Sequence, residues 1–101
     1  MTKKILIIDD EPDFRTYLAT IFTENGHEAI QGRDGPEGLE LASREQPDMI
    51  TLDVLMPDQS GIKVYRELRN SGHSRSDIVA FTNAVLELVT SELRDAQEAA
   101  E

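Results

Sequence analysis

Three aspartates stand where predicted strands end, and clustered carboxylates of this kind bind divalent cations. Asp9 and Asp10 follow the apolar run at residues 5–8 (ILII), and Asp53 follows residues 48–52 (DMITL). Open parallel sheets hold their ligands beyond the carboxyl ends of the strands. If these two strands are neighbours, the three carboxylates converge in one acidic pocket and repel one another. A cation that prefers hard oxygen ligands, magnesium or manganese, would relieve that repulsion.

A simpler interpretation is that Asp9 and Asp10 cap the helix that starts near Pro12. For a single aspartate, capping would be the better explanation. Two adjacent acids with a third at another strand end favour the pocket, because that edge of the sheet is where such folds keep their sites.

Strand-like and helix-like patterns alternate along the chain. Strands are predicted at residues 5–8, 27–31, 48–52 and 78–81, and helices begin near residues 12, 35, 60 and 84. The first helix ends at residues 25–26 (NG), and the second ends at Pro47. This order predicts one α/β domain with a parallel sheet.

Apolar spacing predicts which side chains share a side on two of these helices. The second helix is expected to face the core with Leu39 and Ala42. The third helix is expected to place one set of side chains on a single side: Ile62, Tyr65, Leu68 and Arg69.

Composition limits the function further. The chain has 101 residues, 39% of them apolar, which favours a single globular domain over residues 1–101. Its net charge of −10 argues against binding to nucleic acid or to an anionic membrane surface. The chain has no cysteine, so disulfides and thiol chemistry are excluded. We expect a cytoplasmic protein, because nothing at the N-terminus is typical of a signal peptide.

Three segments together resemble the receiver domains of response regulators. These are residues 5–12 (ILIIDDEP), residues 47–61 (PDMITLDVLMPDQSG), and Thr82 or Asn83 before Ala84. The resemblance covers about residues 3 to 84. It implies an open parallel sheet of the flavodoxin-like, CheY-like type, and a phosphoryl group accepted from a histidine kinase in a Mg2+-dependent reaction.

The resemblance also implies roles for individual residues. Asp53 would be the phosphoacceptor, Asp10 would bind Mg2+ directly, and Asp9 would bind it directly or through water. The backbone carbonyl of Leu55 would be a further ligand. The loop that carries this carbonyl would be shaped by Pro57 and Gly61.

A hydroxyl residue at the end of the fourth strand contacts the phosphoryl group in this family. Thr82 is the better match, because its hydroxyl can donate to a phosphoryl oxygen, and Asn83 is the alternative register. Either residue could equally be the cap of the last helix.

The chain departs from the family pattern after its fourth strand. Its lysines are Lys3, Lys4 and Lys63, so the usual phosphate-pairing lysine has no match, and Lys63 is expected on the solvated surface. The sequence also lacks the pattern of a fifth strand and a fifth helix. We therefore expect a C-terminally incomplete receiver of about four strands and four helices, with an atypical helix over residues 85–101.

The last helix carries an apolar seam of the coiled-coil type, formed by Leu86, Val89, Leu93, Ala96 and Ala100. The same pattern is also typical of an amphipathic helix packed on its own sheet. A missing fifth strand would leave the fourth as an open sheet edge. We expect a homodimer, through this helix or through that edge.

The sequence favours a signalling domain over an enzyme, with a sensor histidine kinase or a phosphotransfer protein as partner. One alternative is a pseudo-receiver that only binds partners, which the missing lysine would favour. The other is a small aspartate-nucleophile phosphohydrolase. That class needs a second acid two residues after the nucleophile, and Asp53 is followed there by Leu55.

Overall fold

The predicted alternation of strands and helices is confirmed. The computed structural model describes residues 2–54, 56, 61–73 and 77–81. Its strands are β1 (Lys4–Ile8), β2 (Glu28–Gly32), β3 (Met49–Asp53) and β4 (Ile78–Phe81), and its helices are α1 (Pro12–Glu24), α2 (Gly35–Glu45) and α3 (Gly61–Asn70). The helix predicted from residue 84 lies outside the described residues.

The four strands form one parallel sheet in the order β2-β1-β3-β4. The strands that precede the aspartates are therefore neighbours, as the acidic-pocket hypothesis requires. Ile8 pairs with Leu52, so the chain continues from these two strand ends into Asp9 and Asp53 side by side.

The main apolar core lies between the sheet and the α2–α3 side. Alternate residues of the strands point to this side, as the two-residue repeat of a strand requires. They pack with side chains of α2 and α3 in a single cluster, formed by Leu6, Ile8, Leu41, Ala42, Ile50, Leu52, Met56, Val64, Leu68 and Ile78. Ile5 and Ile7, equally buried, belong to the opposite side, where α1 packs against β1 and β2.

Helix α2 approaches β1 so closely that it needs glycine at the contact. A Cβ atom on Gly38 would lie 2.6–2.9 Å from side-chain carbons of Ile8. Asp34 caps the helix by accepting from the backbone N–H of Glu37 at 2.9 Å. The sequence predicts that this helix ends at Pro47. It ends earlier, at Glu45, because Gln46 takes the left-handed conformation, with φ of 47°. Helix α2 therefore packs closely on one side of β1, the strand that leads into Asp9 and Asp10.

Helix α3 faces the core with only part of the set that the sequence places on one side. Val64 and Leu68 are buried, whereas Ile62 is 61% exposed and Arg69 is exposed. Leu68 lies at helical spacing both from Ile62 and from Val64. The close contact of Gly61 with the backbone of Val54 turns the side with Val64 toward the core. Tyr65 packs at the margin of the core.

The predicted inward face of α2 needs a smaller correction. Ala42 is buried as predicted, but Leu39 is only half-buried, and Leu41 is the leucine inside the core.

Among the described helices, none is long and apolar enough to cross a membrane.

Candidate functional site

The three predicted aspartates meet at the carboxyl edge of the sheet. Asp9, Asp10 and Asp53 each offer a carboxylate oxygen, and these oxygens lie within 4.8 Å of one another. Asp9 is 0% exposed and Asp53 is 2% exposed, whereas Asp10 faces solvent. Two buried carboxylates and one exposed carboxylate therefore lie together at this edge of the sheet.

Hydrogen bonds hold both the backbone and the side chain of Asp9. Its N–H donates to the carbonyl of Gly32 at 3.0 Å, and its Oδ1 accepts from the N–H of Glu11 at 2.9 Å. Its carbonyl accepts from Nη1 of Arg15 at 2.7 Å. The turn between β1 and α1 is therefore well fixed, and with it the positions of Asp9 and Asp10.

The capping interpretation of Asp9 and Asp10 is not what the structure shows. The N-cap of α1 is Glu11, whose Oε1 accepts from the N–H of Asp13 at 3.2 Å. Asp9 supports the turn that leads into the helix, and Asp10 remains available at the opening of the pocket.

Arg15 also helps to build this site, although no sequence motif indicates it. It lies on the first turns of α1, and its guanidinium reaches back to the carbonyl of Asp9. Because it is a cation bonded to the residue that carries a site carboxylate, it also offsets part of the negative charge. Its distance in sequence from Asp9 fits no standard metal or capping motif, so only the folded turn reveals it.

The electrostatics of the three clustered aspartates would be relieved by a divalent cation. Two buried carboxylates about 5 Å apart repel by about 3 kcal/mol at an effective dielectric constant of about 20. Oxygens that surround Mg2+ in an octahedral site lie about 3–4 Å apart, given bonds of about 2.1 Å. The oxygens of Asp9, Asp10 and Asp53 fit this spacing after small side-chain movements, and their hard donor set suits magnesium or manganese.

The loop after β3 is closed by a contact that only glycine allows. The N–H of Gly61 donates to the carbonyl of Val54 at 3.2 Å. A Cβ atom on Gly61 would lie 2.2 Å from Cα of Val54 and 2.6 Å from its carbonyl oxygen. The start of α3 is thus held directly against the residue that follows Asp53.

Four other predicted site residues, Leu55, Pro57, Thr82 and Asn83, lie outside the described residues. Their roles therefore stay predictions.

The chain's three lysines are all described. The backbone N–H of Lys4 donates to Asp48 at 2.7 Å, and that of Lys3 donates to Nδ1 of His27 at 3.1 Å. These contacts place both residues at the amino edge of the sheet, opposite the carboxylates. Lys63 is exposed on α3, as expected.

Comparison with known families identifies the class to which this fold and site belong. Residues 5–99 match the family described as the response regulator receiver domain. The chain therefore belongs to the receiver-domain family of response regulators.

Characterised relatives agree with this assignment. The chain is 44% identical over 69 residues to the alkaline phosphatase synthesis transcriptional regulatory protein PhoP of Bacillus subtilis, a match that covers 68% of this chain and 29% of PhoP. It is 32% identical over 69 residues to sporulation initiation phosphotransferase F of the same organism, covering 68% of this chain and 56% of that protein. The chain therefore spans only part of the length of these relatives.

Solved structures share the fold. The chemotaxis protein CheY4 of Vibrio cholerae superposes with a TM-score of 0.73 at 26% identity, covering 79% of this chain and 68% of CheY4. The flavodoxin-like, CheY-like fold predicted from the sequence is thereby confirmed.

The role of Asp10 can be tested by metal titration. We expect Asp10→Asn to lower Mg2+ affinity by about tenfold to a hundredfold, because a charged ligand contact contributes about 1.5–3 kcal/mol. Asp13→Asn removes the same charge from an exposed position on α1 and should leave the affinity nearly unchanged. Titration calorimetry measures both, and equal affinities for wild type and Asp10→Asn would refute the assignment.

Proposed function

We propose that this chain is a working phosphoacceptor receiver of a two-component system, with residues 1–101 as its single domain. The observation that carries the proposal is the convergence of buried Asp53 with Asp9 and Asp10 at the carboxyl edge of the sheet. The chain would signal through a change in conformation or partner, and would not act as an enzyme with its own substrate.

The chemistry proposed for Asp53 is a direct phosphoryl transfer. A carboxylate oxygen of Asp53 forms a bond to phosphorus while the bond from phosphorus to a histidine nitrogen of the donor breaks. The electron pair of the broken bond stays on the imidazole, and the product on this chain is an acyl phosphate. Burial of Asp53 restricts water near the reacting carboxylate.

Magnesium is the proposed cofactor, with manganese as a possible substitute. Asp10 would bind it directly, Asp9 directly or through water, and Asp53 and the Leu55 carbonyl would complete the protein ligands. When bound, the ion neutralises charge on the phosphoryl oxygens during transfer. Pro57 and Gly61 would set the course of the loop that presents the Leu55 carbonyl, and Thr82, or Asn83 in the other register, would contact the phosphoryl group.

Incubation with acetyl phosphate separates this proposal from its two alternatives. A receiver keeps a Mg2+-dependent label on the protein. A pseudo-receiver acquires no label, and a phosphohydrolase releases phosphate continuously without storing the label. Release of inorganic phosphate and retained protein label should be measured in the same reaction.

The proposed donor is a sensor histidine kinase or a phosphotransfer protein. Among the relatives, the autoinducer sensor kinase/phosphatase CqsS of Vibrio cholerae is 33% identical over 76 residues, covering 75% of this chain and 11% of that protein. A cytoplasmic location fits such a donor. A net charge of −10 disfavours nucleic acid and anionic membrane surfaces as partners of this chain.

Phosphorylation of this chain should shift its conformation less than it does in a receiver that has the lysine. A charge-assisted contact of this type contributes about 1.5–3 kcal/mol, so the phosphate-driven population shift shrinks accordingly. NMR spectra with and without beryllofluoride report the shift along Ile78–Phe81. Changes as large as those of a lysine-containing receiver would contradict this expectation.

The chain is also proposed to be a homodimer, through its C-terminal helix or through the edge of β4. The strand order leaves β4 at one end of the described sheet, with unpaired backbone groups along one side. A symmetric contact is the commonest way for two copies to cover such a surface.

Sedimentation equilibrium at tens of micromolar tests the dimer, and a monomer there would refute it. Leu93→Glu dissociates a dimer that pairs the helical seams, because it places like charges across the contact. A dimer that survives Leu93→Glu uses the β4 edge or the bare face of the sheet.

A further inference from the structure

The α1 side of the sheet is only partly covered by the described helices. Helix α1 packs against β1 and β2. The same side of β3 and β4 carries Met49, which is half-buried, Thr51, which is 5% exposed, and Val79, which is 47% exposed. Parallel sheets normally bury both faces, so the sheet around Met49 and Val79 is an incomplete core surface.

A groove of about 490 Å³ lies on this side of the sheet, between α1 and the first residues of β1 and β3. Its apolar lining comes from Ile5 and Met49 of the sheet and from Ile21 and Phe22 of α1. Both α1 residues are only half-buried. Its polar rim lies at the amino edge of the sheet and contains Lys3, Asn25, His27 and Asp48.

We propose that this groove is the docking site for residues 84–101 of the same chain, folded as a helix. One side of that helix would carry the apolar residues of its seam, Leu86, Val89, Leu93, Ala96 and Ala100. These side chains would complete the core over β3 and β4 beside α1.

Length and direction allow this placement. Strand β4 ends at Phe81, at the carboxyl edge of the sheet, whereas the groove opens toward the amino edge. A five-residue strand spans about 17 Å, and a helix over residues 84–101 is about 27 Å long. A helix that runs back antiparallel to β4 is therefore long enough to reach the groove.

Tethering also favours the chain's own segment over that of a second copy. The segment follows β4 directly, and a short connection gives it an effective concentration near the millimolar range. The apolar seam that contains Leu93 is then buried within one chain. The β4 edge is left as the contact between the two chains of the proposed dimer.

Cysteine crosslinking tests this directly, because the chain has no cysteine of its own. Asn25→Cys at the groove rim is combined in turn with Ala96→Cys and with Ala100→Cys, and the full chain is oxidised. A disulfide needs Cα atoms within about 7 Å, so at least one pair should close within a single chain. Thr20→Cys, exposed elsewhere on α1, is the matched control and should not close with either partner.

Each outcome decides the proposal. An intramolecular disulfide with Asn25→Cys but not with Thr20→Cys supports it. A disulfide between two chains would assign the groove to a second copy's segment and overturn the proposal. Absence of any disulfide, or equal yields with the control, would overturn it as well.

A second measurement uses the native surface of the groove. Leu93→Glu should raise the fluorescence of a bound hydrophobic dye several-fold, because the displaced segment uncovers apolar groove surface. Leu88→Glu, which lies off the seam, should leave the fluorescence near the wild-type value. Equal dye binding by both variants, or loss of the dimer in Leu93→Glu, would contradict docking within the chain.

Discussion

Asp53→Asn is expected to abolish labelling by acetyl phosphate, the largest functional effect of any single substitution in this chain. The amide removes the nucleophilic oxygen while keeping nearly the same shape in a site that is 2% exposed. The wild-type label should be released by hydroxylamine, because an acyl phosphate reacts with it and a serine or threonine phosphate does not. Radiolabel or intact mass follows both results.

Asp58→Asn is the matched control, since it removes another acid further along the same stretch of sequence. It should keep the wild-type label. Label that persists in Asp53→Asn, or that resists hydroxylamine in the wild type, would place the phosphoryl group on another residue.

Gly61→Ala is expected to have the largest effect on stability. Its Cβ would lie 2.2 Å from Cα of Val54, and backbone on both sides leaves little room to adjust. Overpacking of this kind costs about 3 kcal/mol, the upper end of its usual range. Urea unfolding should show the loss. Calorimetry should show weaker Mg2+ binding as well, because the loop beside Asp53 has to move.

Gly26→Ala separates this contact from the general cost of replacing a glycine. Gly26 has a φ of +84°, and nothing lies within 4 Å of a Cβ placed there. The Gly26→Ala variant should lose about 1–2 kcal/mol of unfolding free energy through backbone conformation alone, and it should keep its Mg2+ affinity. A smaller loss in Gly61→Ala than in Gly26→Ala would show that the Gly61–Val54 contact is not the constraint described.

The site was predictable because strand ends in a parallel sheet are set by short, local patterns. The apolar run before Asp9 and the run before Asp53 each define a strand, and the carboxyl edge of the sheet is where such strands present their ligands. Local patterns do not determine which strands are neighbours, and the strand order shows that β1 and β3 are adjacent. Local sequence was sufficient for the fold class and for the three aspartates.

Other features depended on tertiary contacts that local patterns do not encode. Apolar spacing in α3 predicts Ile62 on the same side as Leu68, whereas the packing of Gly61 on Val54 turns Val64 inward instead. Arg15 contacts Asp9 only because the turn before α1 brings the guanidinium back to its carbonyl. Contacts of this type become visible only once the backbone is placed.

Intact-mass spectrometry after incubation with acetyl phosphate tests the central claim most directly. With Mg2+ present, the chain should gain the mass of one phosphoryl group, and chelation of the metal should prevent that gain. Convergence of Asp9, Asp10 and Asp53 predicts both results. A chain that stays unmodified with Mg2+, or that is modified equally without it, would contradict its assignment as a working phosphoacceptor.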